Sequence, residues 1–243
     1  MKLLLAISSW YISALNADHQ SSRDTWMKNS AGIDCRFFMG DGSPVLISNE
    51  DENLINNSWN ERQNHYNDKP YESHKIDYIP KEDEILLPVP YDFKHLSFKV
   101  REIFRWALER DYDYIFKVDT DTYVDVPRLL TSGFQNSDYI GTPFWKGDQP
   151  FASGGAGYWI SKKAYSLLVN EPITIPWDDI WVGDNLRKHN INLTGDTRYN
   201  VNMPHNFLNG PRPNNSAITG HLGFSPEPFN NKDMWEAHRL RWS

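Results

Sequence analysis

Cysteine, long apolar runs and excess positive charge are all scarce in this 243-residue sequence. Its one cysteine, Cys35, excludes an intramolecular disulfide and suits a reducing compartment. The formal net charge of -7 argues against a nucleic-acid-binding protein, because such proteins usually carry a basic face. No stretch approaches the roughly 20 apolar residues of a transmembrane helix. The apolar run at residues 3–7 is shorter than the core of a secretory signal, so we expect a buried strand there and a cytoplasmic location.

Aromatic residues and alternating structural patterns are what the sequence does contain. Hydrophobic residues make up 39% of the chain, which is typical of a globular protein, and its 10 Trp and 12 Tyr could stack on sugars or form core. The chain is long enough for one large domain or two closely joined halves. Strands are predicted at residues 3–8, 33–39, 85–89, 114–118 and 138–141. Helices are predicted at residues 22–28, 93–110, 126–130, 162–169, 178–189 and 234–242.

This alternation predicts an α/β fold with a mostly parallel central sheet flanked by helices, whose ligands gather at the carboxyl ends of the strands. We expect residues 49–75, rich in Asn, Asp, Glu and His, to form a solvated and poorly packed excursion. From residue 141 to 158 the Gly, Pro and Trp residues predict irregular structure.

An Asp-Thr-Asp sequence follows the strand predicted at residues 114–118. Asp119 and Asp121 are two residues apart, so a strand would direct both carboxylates to one side. Two buried carboxylates close together are costly unless a positive charge lies between them. A hard divalent cation that also binds a nucleotide diphosphate would supply it.

Three other interpretations of this sequence compete with a metal site, and one of them, a calcium loop, fails. Asp and Thr after a strand commonly form a turn, and for a bare Asp-x-Asp that is the more frequent outcome. A calcium loop would need Gly at the position of Val124 and Glu at that of Leu130. A phosphatase would use the first Asp as its nucleophile, but its strand should open the domain rather than lie in mid-chain.

Three later segments bear on the same site. Gly154 and Gly155 would let the backbone approach a bulky ligand, or would simply permit a bend. Asp178 and Asp179 fall in a predicted first helical turn, where they either cap the helix or provide a general base for a sugar acceptor. His221 lies between glycines in the C-terminal region and could complete an oxygen-rich site for Mn²⁺.

Several segments occur in the order found in one known enzyme family. They are residues 23–26 (Arg-Asp-Thr-Trp), 37–42 (Phe-Phe-Met-Gly-Asp-Gly), 96–99 (Leu-Ser-Phe-Lys), 106–107 (Trp-Ala), 117–121 (Lys-Val-Asp-Thr-Asp), 153–158 (Ser-Gly-Gly-Ala-Gly-Tyr) and 178–183 (Asp-Asp-Ile-Trp-Val-Gly). Together they resemble the β-1,3-glycosyltransferase family that includes the Fringe proteins and the β-1,3-galactosyl- and N-acetylglucosaminyltransferases. Thr120 replaces the middle acid of the family's Asp-Asp-Asp, and the glycine segment carries one extra residue.

The resemblance implies a single GT-A-type domain, 1–243, with a nucleotide-binding half at 1–125 and an acceptor-binding half at 126–243. It implies a metal-dependent, inverting glycosyltransferase that moves a sugar from a UDP-sugar to a glycan hydroxyl, with Mn²⁺ or Mg²⁺ as cofactor. The family's luminal enzymes carry a membrane anchor, a stem and disulfides. Their absence here suggests a bacterial or viral relative.

Carried over by position, the resemblance also implies roles for individual residues. Asp121 and His221 should bind the metal, with His205 as the substitute for His221. Asp119 should contact the ribose or the metal's water shell, and Asp179, helped by Asp178, should be the general base. The further donor contacts implied are Asp41, Arg23, Lys99, Gly154 and Gly155.

Two functions of other classes remain as alternatives. A non-catalytic carbohydrate-binding protein would use the aromatic residues and bind glycans without UDP. An Asp-x-Asp phosphatase would hydrolyse phosphomonoesters. Residues 204–225, rich in Gly, Pro and Asn, are predicted to form a lid over bound UDP-sugar.

Overall fold

A seven-stranded sheet organises the computed structural model, which describes residues 1–30, 32–62, 77–200, 216–223 and 231–242. The strands are β1 (Leu3–Ser8), β2 (Asp34–Gly40), β3 (Glu84–Leu87), β4 (Tyr114–Asp119), β5 (Thr122–Val124), β6 (Tyr139–Gly141), β7 (Pro143–Lys146), β8 (Gln149–Ala152), β9 (Tyr158–Ser161), β10 (Thr194–Gly195), β11 (Tyr199–Asn200) and β12 (Thr219–His221). The helices are α1 (Tyr11–Leu15), α2 (Asp18–Asp24), α3 (Asn49–Arg62), α4 (Leu96–Glu109), α5 (Val126–Leu130), α6 (Lys162–Leu168), α7 (Asp178–Lys188) and α8 (Asn231–Trp242).

The central sheet has the strand order β10-β6-β9-β4-β1-β2-β3. Strand β9 runs antiparallel to both of its neighbours, and the other pairings are parallel. The α/β class with a mostly parallel sheet flanked by helices is therefore confirmed. Because β1 lies between β4 and β2, the ends of β1 and β4 are adjacent, with Ser8 paired to Asp119.

Two smaller sheets accompany the central sheet. Strand β12 pairs antiparallel with β5 and parallel with β11, and β7 and β8 form a hairpin. The pairing of β12 with β5 sets His221 opposite Thr122, and the N–H of Leu222 donates to the carbonyl of Asp121 at 2.8 Å. This arrangement brings a segment from the C-terminal region to the turn that follows β4.

Apolar side chains fill both faces of the central sheet. The strand interiors of β1 and β4 are buried, as mainly apolar sequences predict for a sheet covered on both sides, and the buried interior of β4 includes the charged residue Lys117. Helix α4 buries Val100, Ile103 and Ala107 at three- and four-residue spacing on one face. Among the described residues, no helix combines the length and apolar character needed to cross a membrane.

Two sequence predictions of local structure were wrong, the first of them over residues 49–62, since residues 63–75 of that segment lie outside the described residues. Residues 49–62 form helix α3, and Ile55 and Trp59 are buried, with Trp59 stacked on Trp177 at 5.5 Å between ring centroids. The polar composition of that segment concealed a narrow apolar stripe. The segment predicted to be irregular contains the β7–β8 hairpin, where Phe144 contacts Phe151 despite the prolines at its strand positions. Pro143 and Pro150 are tolerated because a two-stranded ribbon consists of edge strands.

Candidate active site

A cavity of about 400 Å³ lies where β1 and β4 end, which is where an open α/β sheet is expected to bind its ligands. One part of its wall is aromatic, with Trp10, Tyr91 and Phe93. Another part is charged, with Lys99, Lys117, Asp119, Asp121 and Asp178. A pocket that joins an aromatic wall to an acidic wall suits a ligand with a flat ring and a metal-bound anionic group.

Lys117 connects the two acidic segments of the sequence. Its Nζ lies 2.8 Å from Asp119 Oδ1 and 2.9 Å from Asp178 Oδ2, and also donates to the carbonyl of Gly154 at 3.2 Å. The lysine is buried, which disfavours its charged form, but the two carboxylates outweigh this and raise its pKa. Lys117 therefore supplies positive charge to Asp119 but does not compensate it fully, since burial, together with the charges of Asp178 and Asp121, still raises the pKa of Asp119.

Asp121 has a different partner from Asp119. Its Oδ2 lies 3.2 Å from His221 Nε2, while its Oδ1 is buried without a hydrogen-bond partner in any other described residue. Burial opposes ionisation of both groups, yet their mutual attraction lowers the pKa of Asp121 and raises that of His221. The two carboxylates of the Asp-Thr-Asp thus face one cavity but are matched by separate cations.

Two glycines allow this pair to form. A Cβ on Gly155 would lie 2.5 Å from Cε1 of the His221 ring, and one on Gly223 would lie 1.8 Å from Asp121 Oδ2. Either side chain would displace one of the paired groups. The loop that holds Gly155 is fixed where Thr122 Oγ1 donates to its carbonyl at 2.7 Å.

Asp179 lies beside the cavity, at the N-terminus of α7. Its Oδ1 accepts the N–H of Ile180 at 2.8 Å, and its Oδ2 is 3.5 Å from the N–H of Gly154. Burial, reinforced by the negative charge of Asp178, raises the pKa of Asp179 to about 7. A carboxylate with this pKa can accept a proton at neutral pH and holds it more readily than an ordinary aspartate.

Lys99 is a second buried amine at the cavity. Its Nζ donates to the carbonyl of Ser9 at 2.7 Å, and burial lowers its pKa to about 8. One of its three protons is used in that bond, which leaves others for a ligand. Lys99 lines the cavity, whereas Gly154 and Gly155 are not among its described lining residues: Gly154 contacts Lys117 and Gly155 lies against His221. Their contacts with a donor stay a prediction.

Two predicted donor contacts lie elsewhere. Arg23 forms ion pairs with Asp83 and Glu84 at 2.7 and 2.6 Å and does not line the cavity. Asp41 accepts the N–H of Ser43 at 2.8 Å in the turn after β2, and it too lies outside the cavity wall. His205 lies outside the described residues, as does most of the predicted lid.

The residues that sequence analysis missed are Lys117, Ser9 and His19. Lys117 precedes Asp119 by two strand positions, so the alternation of side chains could have paired them. Ser9 follows directly after β1, at the carboxyl edge where ligands are expected. His19 is fully buried on α2, and nothing in its local sequence indicates the contacts that it makes.

The side chains at the cavity fit a divalent cation in part. A carboxylate with a buried, unused oxygen next to an imidazole is a donor set that suits Mn²⁺. However, the described residues include no group of three or more His, Cys, Asp or Glu side chains placed to hold a metal ion. The protein would thus provide few ligands, and phosphate oxygens and water would complete the coordination.

Comparison with known proteins gives a general outline only. No protein-family profile matches the sequence. A galactosyltransferase, LgtC, solved with donor and acceptor sugar analogues, aligns with 99% of this chain and 94% of its own at 13% identity and a TM-score of 0.46. The glycosyltransferase GlyE of Streptococcus pneumoniae aligns with 98% of this chain and 60% of its own at 10% identity and a TM-score of 0.45. A glycosyltransferase that acts in glycosylation of the major capsid of PBCV-1 aligns with 99% of both chains at 13% identity and a TM-score of 0.43. Scores this low assign no activity, and the function must be argued from the site.

Proposed function

We propose that this chain is a metal-dependent, inverting glycosyltransferase of the GT-A type that transfers a sugar from a UDP-sugar to a hydroxyl of a glycan. The observation that carries the proposal is the position of Lys117. Its amine holds the acidic turn after β4 and the acidic first turn of α7 together, within 2.9 Å of a carboxylate from each. Asp121, the partner of His221, and Asp178, the neighbour of the candidate base Asp179, thereby line one cavity. The same features favour the β-1,3-glycosyltransferase relationship that the motifs suggest.

Asp121 and His221 would bind the cation, Mn²⁺ or Mg²⁺, and Asp119 would contact its water shell or the ribose. When bound, the cation would neutralise the charge that builds on the departing diphosphate. Lys99 lies in the same wall and would donate to the donor molecule. Its lowered pKa makes that contribution strongest below about pH 8.

Asp179 would take the proton from the acceptor hydroxyl as that oxygen attacks the anomeric carbon. Attack from the face opposite UDP gives inversion. Asp178 acts on Asp179 through its charge, which favours the protonated form, and it is itself held by Lys117. Asp178 is therefore a positioning residue in this proposal.

The residues that line the cavity support separate roles in donor and acceptor binding for the two halves of the chain. All but one of its lining residues, among those that the structure describes, come from the first half, 1–125, and Asp178 is the exception. We assign donor binding to residues 1–125, with His221 as a metal ligand from the second half, and acceptor binding to residues 126–243. The acceptor would then approach from the side of α7 and the glycine loop.

A panel of UDP-sugars tests the proposal. The chain should release UDP slowly by hydrolysis from one donor in the presence of Mn²⁺, faster when a glycan acceptor is added, and not at all with a chelator. NMR of the product should show an anomeric configuration opposite to that of the donor. Retention of configuration would exclude the single displacement assigned to Asp179.

The same preparation separates the alternative functions. Glycan binding without any UDP release would indicate a carbohydrate-binding protein. Hydrolysis of a phosphomonoester, lost in Asp119→Asn, would indicate a phosphatase. Either result, with no transfer from any donor, would overturn the proposal.

A further inference from the structure

A buried chain of hydrogen bonds runs from the cavity wall to the interior of the protein. Ser9 Oγ lies 2.6 Å from His19 Nε2, and His19 Nδ1 lies 2.8 Å from Glu84 Oε1. The imidazole is fully buried and stacks on Phe37 at 3.9 Å between ring centroids. Only Ser9 reaches the cavity.

The surroundings of Glu84 determine where the protons of this chain lie. Besides His19, its carboxylate accepts from the guanidinium of Arg23 at 2.6 Å, the hydroxyl of Tyr78 at 2.7 Å and the N–H of Lys81 at 2.8 Å. These donors, together with the histidine, outweigh the effect of burial and lower the pKa of Glu84 to about 2. An ionised carboxylate can only accept, so His19 must carry a proton on Nδ1.

The state of His19 in turn fixes the Ser9 hydroxyl. Burial lowers the pKa of His19, so the ring is neutral and Nε2 has a lone pair. The Ser9 hydroxyl therefore donates to Nε2 at 2.6 Å, a much shorter contact than the 3.3 Å that separates Oγ from the carbonyl of Trp10. Ser9 lines the cavity, and with its proton used in this way its hydroxyl oxygen can only accept from a ligand, whereas a serine with a freely rotating hydroxyl could either donate or accept.

The cavity around Ser9 has the features of a site for a flat ring. The rings of Trp10 and Phe93 lie 5.9 Å apart in the same wall. The amine of Lys99, which donates to the carbonyl of Ser9, can donate to a neighbouring ring carbonyl. A fixed acceptor beside an amine donor matches the imide edge of uracil, where a ring N–H adjoins a carbonyl. Cytosine has a lone pair in place of that N–H and would face the Ser9 oxygen with another acceptor.

We infer that Ser9, held as an acceptor by His19 and Glu84, selects a nucleotide whose base carries a ring N–H, and so distinguishes uridine from cytidine donors. This inference rests on the proposed function, since it concerns the donor of that same site.

The contacts from Ser9 to His19 to Glu84 also follow the order of a serine hydrolase triad. A nucleophilic role is disfavoured because the N–H of Ser9 donates to the carbonyl of Phe38 at 2.9 Å and cannot stabilise an oxyanion.

Titration calorimetry with UDP and CDP, in Mn²⁺ and with the full chain, tests the inference. The wild-type protein should bind UDP about 10- to 100-fold more tightly than CDP, as expected where a mismatched base leaves a buried polar group unpaired. Ser9→Ala should weaken UDP and leave CDP unchanged, so that the preference disappears. Ser13→Ala, the same substitution elsewhere in the cavity wall, should keep it.

The outcomes separate this inference from the proposed function. Equal binding of UDP and CDP by the wild type, or an unaltered preference in Ser9→Ala, would overturn the role of Ser9 and leave the glycosyltransferase proposal standing. Failure to bind either nucleotide with metal would overturn both. Covalent labelling of Ser9 by a fluorophosphonate would show a nucleophile and also overturn the inference.

A measurement without any ligand tests the proton positions directly. Nitrogen-15 NMR of the imidazoles should show His19 neutral and protonated at Nδ1. A ring protonated at Nε2 would direct the Ser9 proton toward the cavity and contradict the inference. This readout also stands if a variant at Ser9 fails to fold.

Discussion

Two clusters of buried carboxylates lie against the central sheet. The Glu84 cluster consists of Glu84, His19, Arg23 and Tyr78, and the Asp119–Asp179 cluster consists of Asp119, Asp121, Asp178, Asp179, Lys117 and His221. They differ in how completely hydrogen bonds and positive charges compensate their carboxylates. The Glu84 carboxylate accepts four hydrogen bonds, including those from the Arg23 guanidinium and the Tyr78 hydroxyl. Its pKa falls to about 2, so it is ionised at any physiological pH. A network satisfied in this way stabilises one structure and leaves no group poised to react.

The second cluster is short of positive charge. Lys117 serves both Asp119 and Asp178, the Oδ1 atom of Asp121 lacks a partner in other described residues, and Asp179 has a pKa raised to about 7. Incompletely matched carboxylates in a cleft mark a place where a ligand or a proton is meant to enter. The difference between the clusters thus distinguishes an acid whose hydrogen bonds are complete from acids that can still take up a cation or a proton.

The largest effect is expected from Asp179→Asn. An amide cannot accept the acceptor's proton, so turnover should fall about 10²- to 10⁴-fold while UDP binding in Mn²⁺ stays the same. Steady-state transfer kinetics and calorimetry measure the two quantities. Asp184→Asn, on the same helix and paired with Arg187, is the matched control and should retain turnover. Near-normal turnover in Asp179→Asn would remove the base from the proposal.

Glu84→Gln should damage stability. The amide nitrogen of the new side chain would face the hydrogen-bond donors that now contact the carboxylate. Removing one partner of a buried ion pair lowers the free energy of unfolding by about 3–5 kcal/mol. For a chain of this size the Tm should fall by about 10 °C. Glu82→Gln, an exposed neighbour, should leave the Tm unchanged.

The pH dependence of the wild-type stability provides a second test of the same cluster. Glu84 has a lower pKa in the folded protein than the ordinary value of 4.5, so its contribution is complete above that value and is lost as pH falls through about 2. Glu84→Gln should lack this acid-side loss. Equal Tm values for the Gln variants at positions 84 and 82 would refute the contrast between the clusters.

The sequence was sufficient for the parts of the site that follow from local rules. The apolar run of β4 with acids at its end placed Asp119 and Asp121 at the ligand-binding edge, and helix periodicity located α4 and the start of α7. Those features depend on neighbours along the chain. They could be predicted because strand alternation and helix spacing are local properties.

The partners across the fold could not be predicted in this way. The motif at Arg23 suggested a donor contact, but its guanidinium is held by Asp83 and Glu84, about 60 residues further along. His19 and Glu84 meet only because α2 packs beside β2 and β3. Which acid is matched by which base is decided by packing, and one sequence does not contain that information.

Gly155→Ala should weaken the metal-binding pair. Its Cβ would lie 2.5 Å from the His221 ring, which must then move away from Asp121. We expect Mn²⁺-dependent UDP affinity to fall about 10- to 100-fold, the range found when groups that orient metal ligands are lost. Gly195→Ala, whose Cβ would make ordinary contact at 3.6 Å with Pro143, is the control. Unchanged calorimetric affinity in Gly155→Ala would show that His221 does not bind the metal.

The smallest effect is the pH dependence of transfer. Asp179 acts only when deprotonated, and burial beside Asp178 sets its pKa at about 7, so kcat/KM should fall about tenfold per pH unit below that value. An aspartate with the ordinary pKa of 3.8 would give a flat profile between pH 5 and pH 7. The assay uses saturating Mn²⁺, and metal binding is measured at each pH. A loss of activity caused by protonation of Asp179 is thereby distinguished from one caused by protonation of His221. A flat profile would mean that Asp179 is as well matched as Glu84, and the contrast between the two clusters would no longer identify the base.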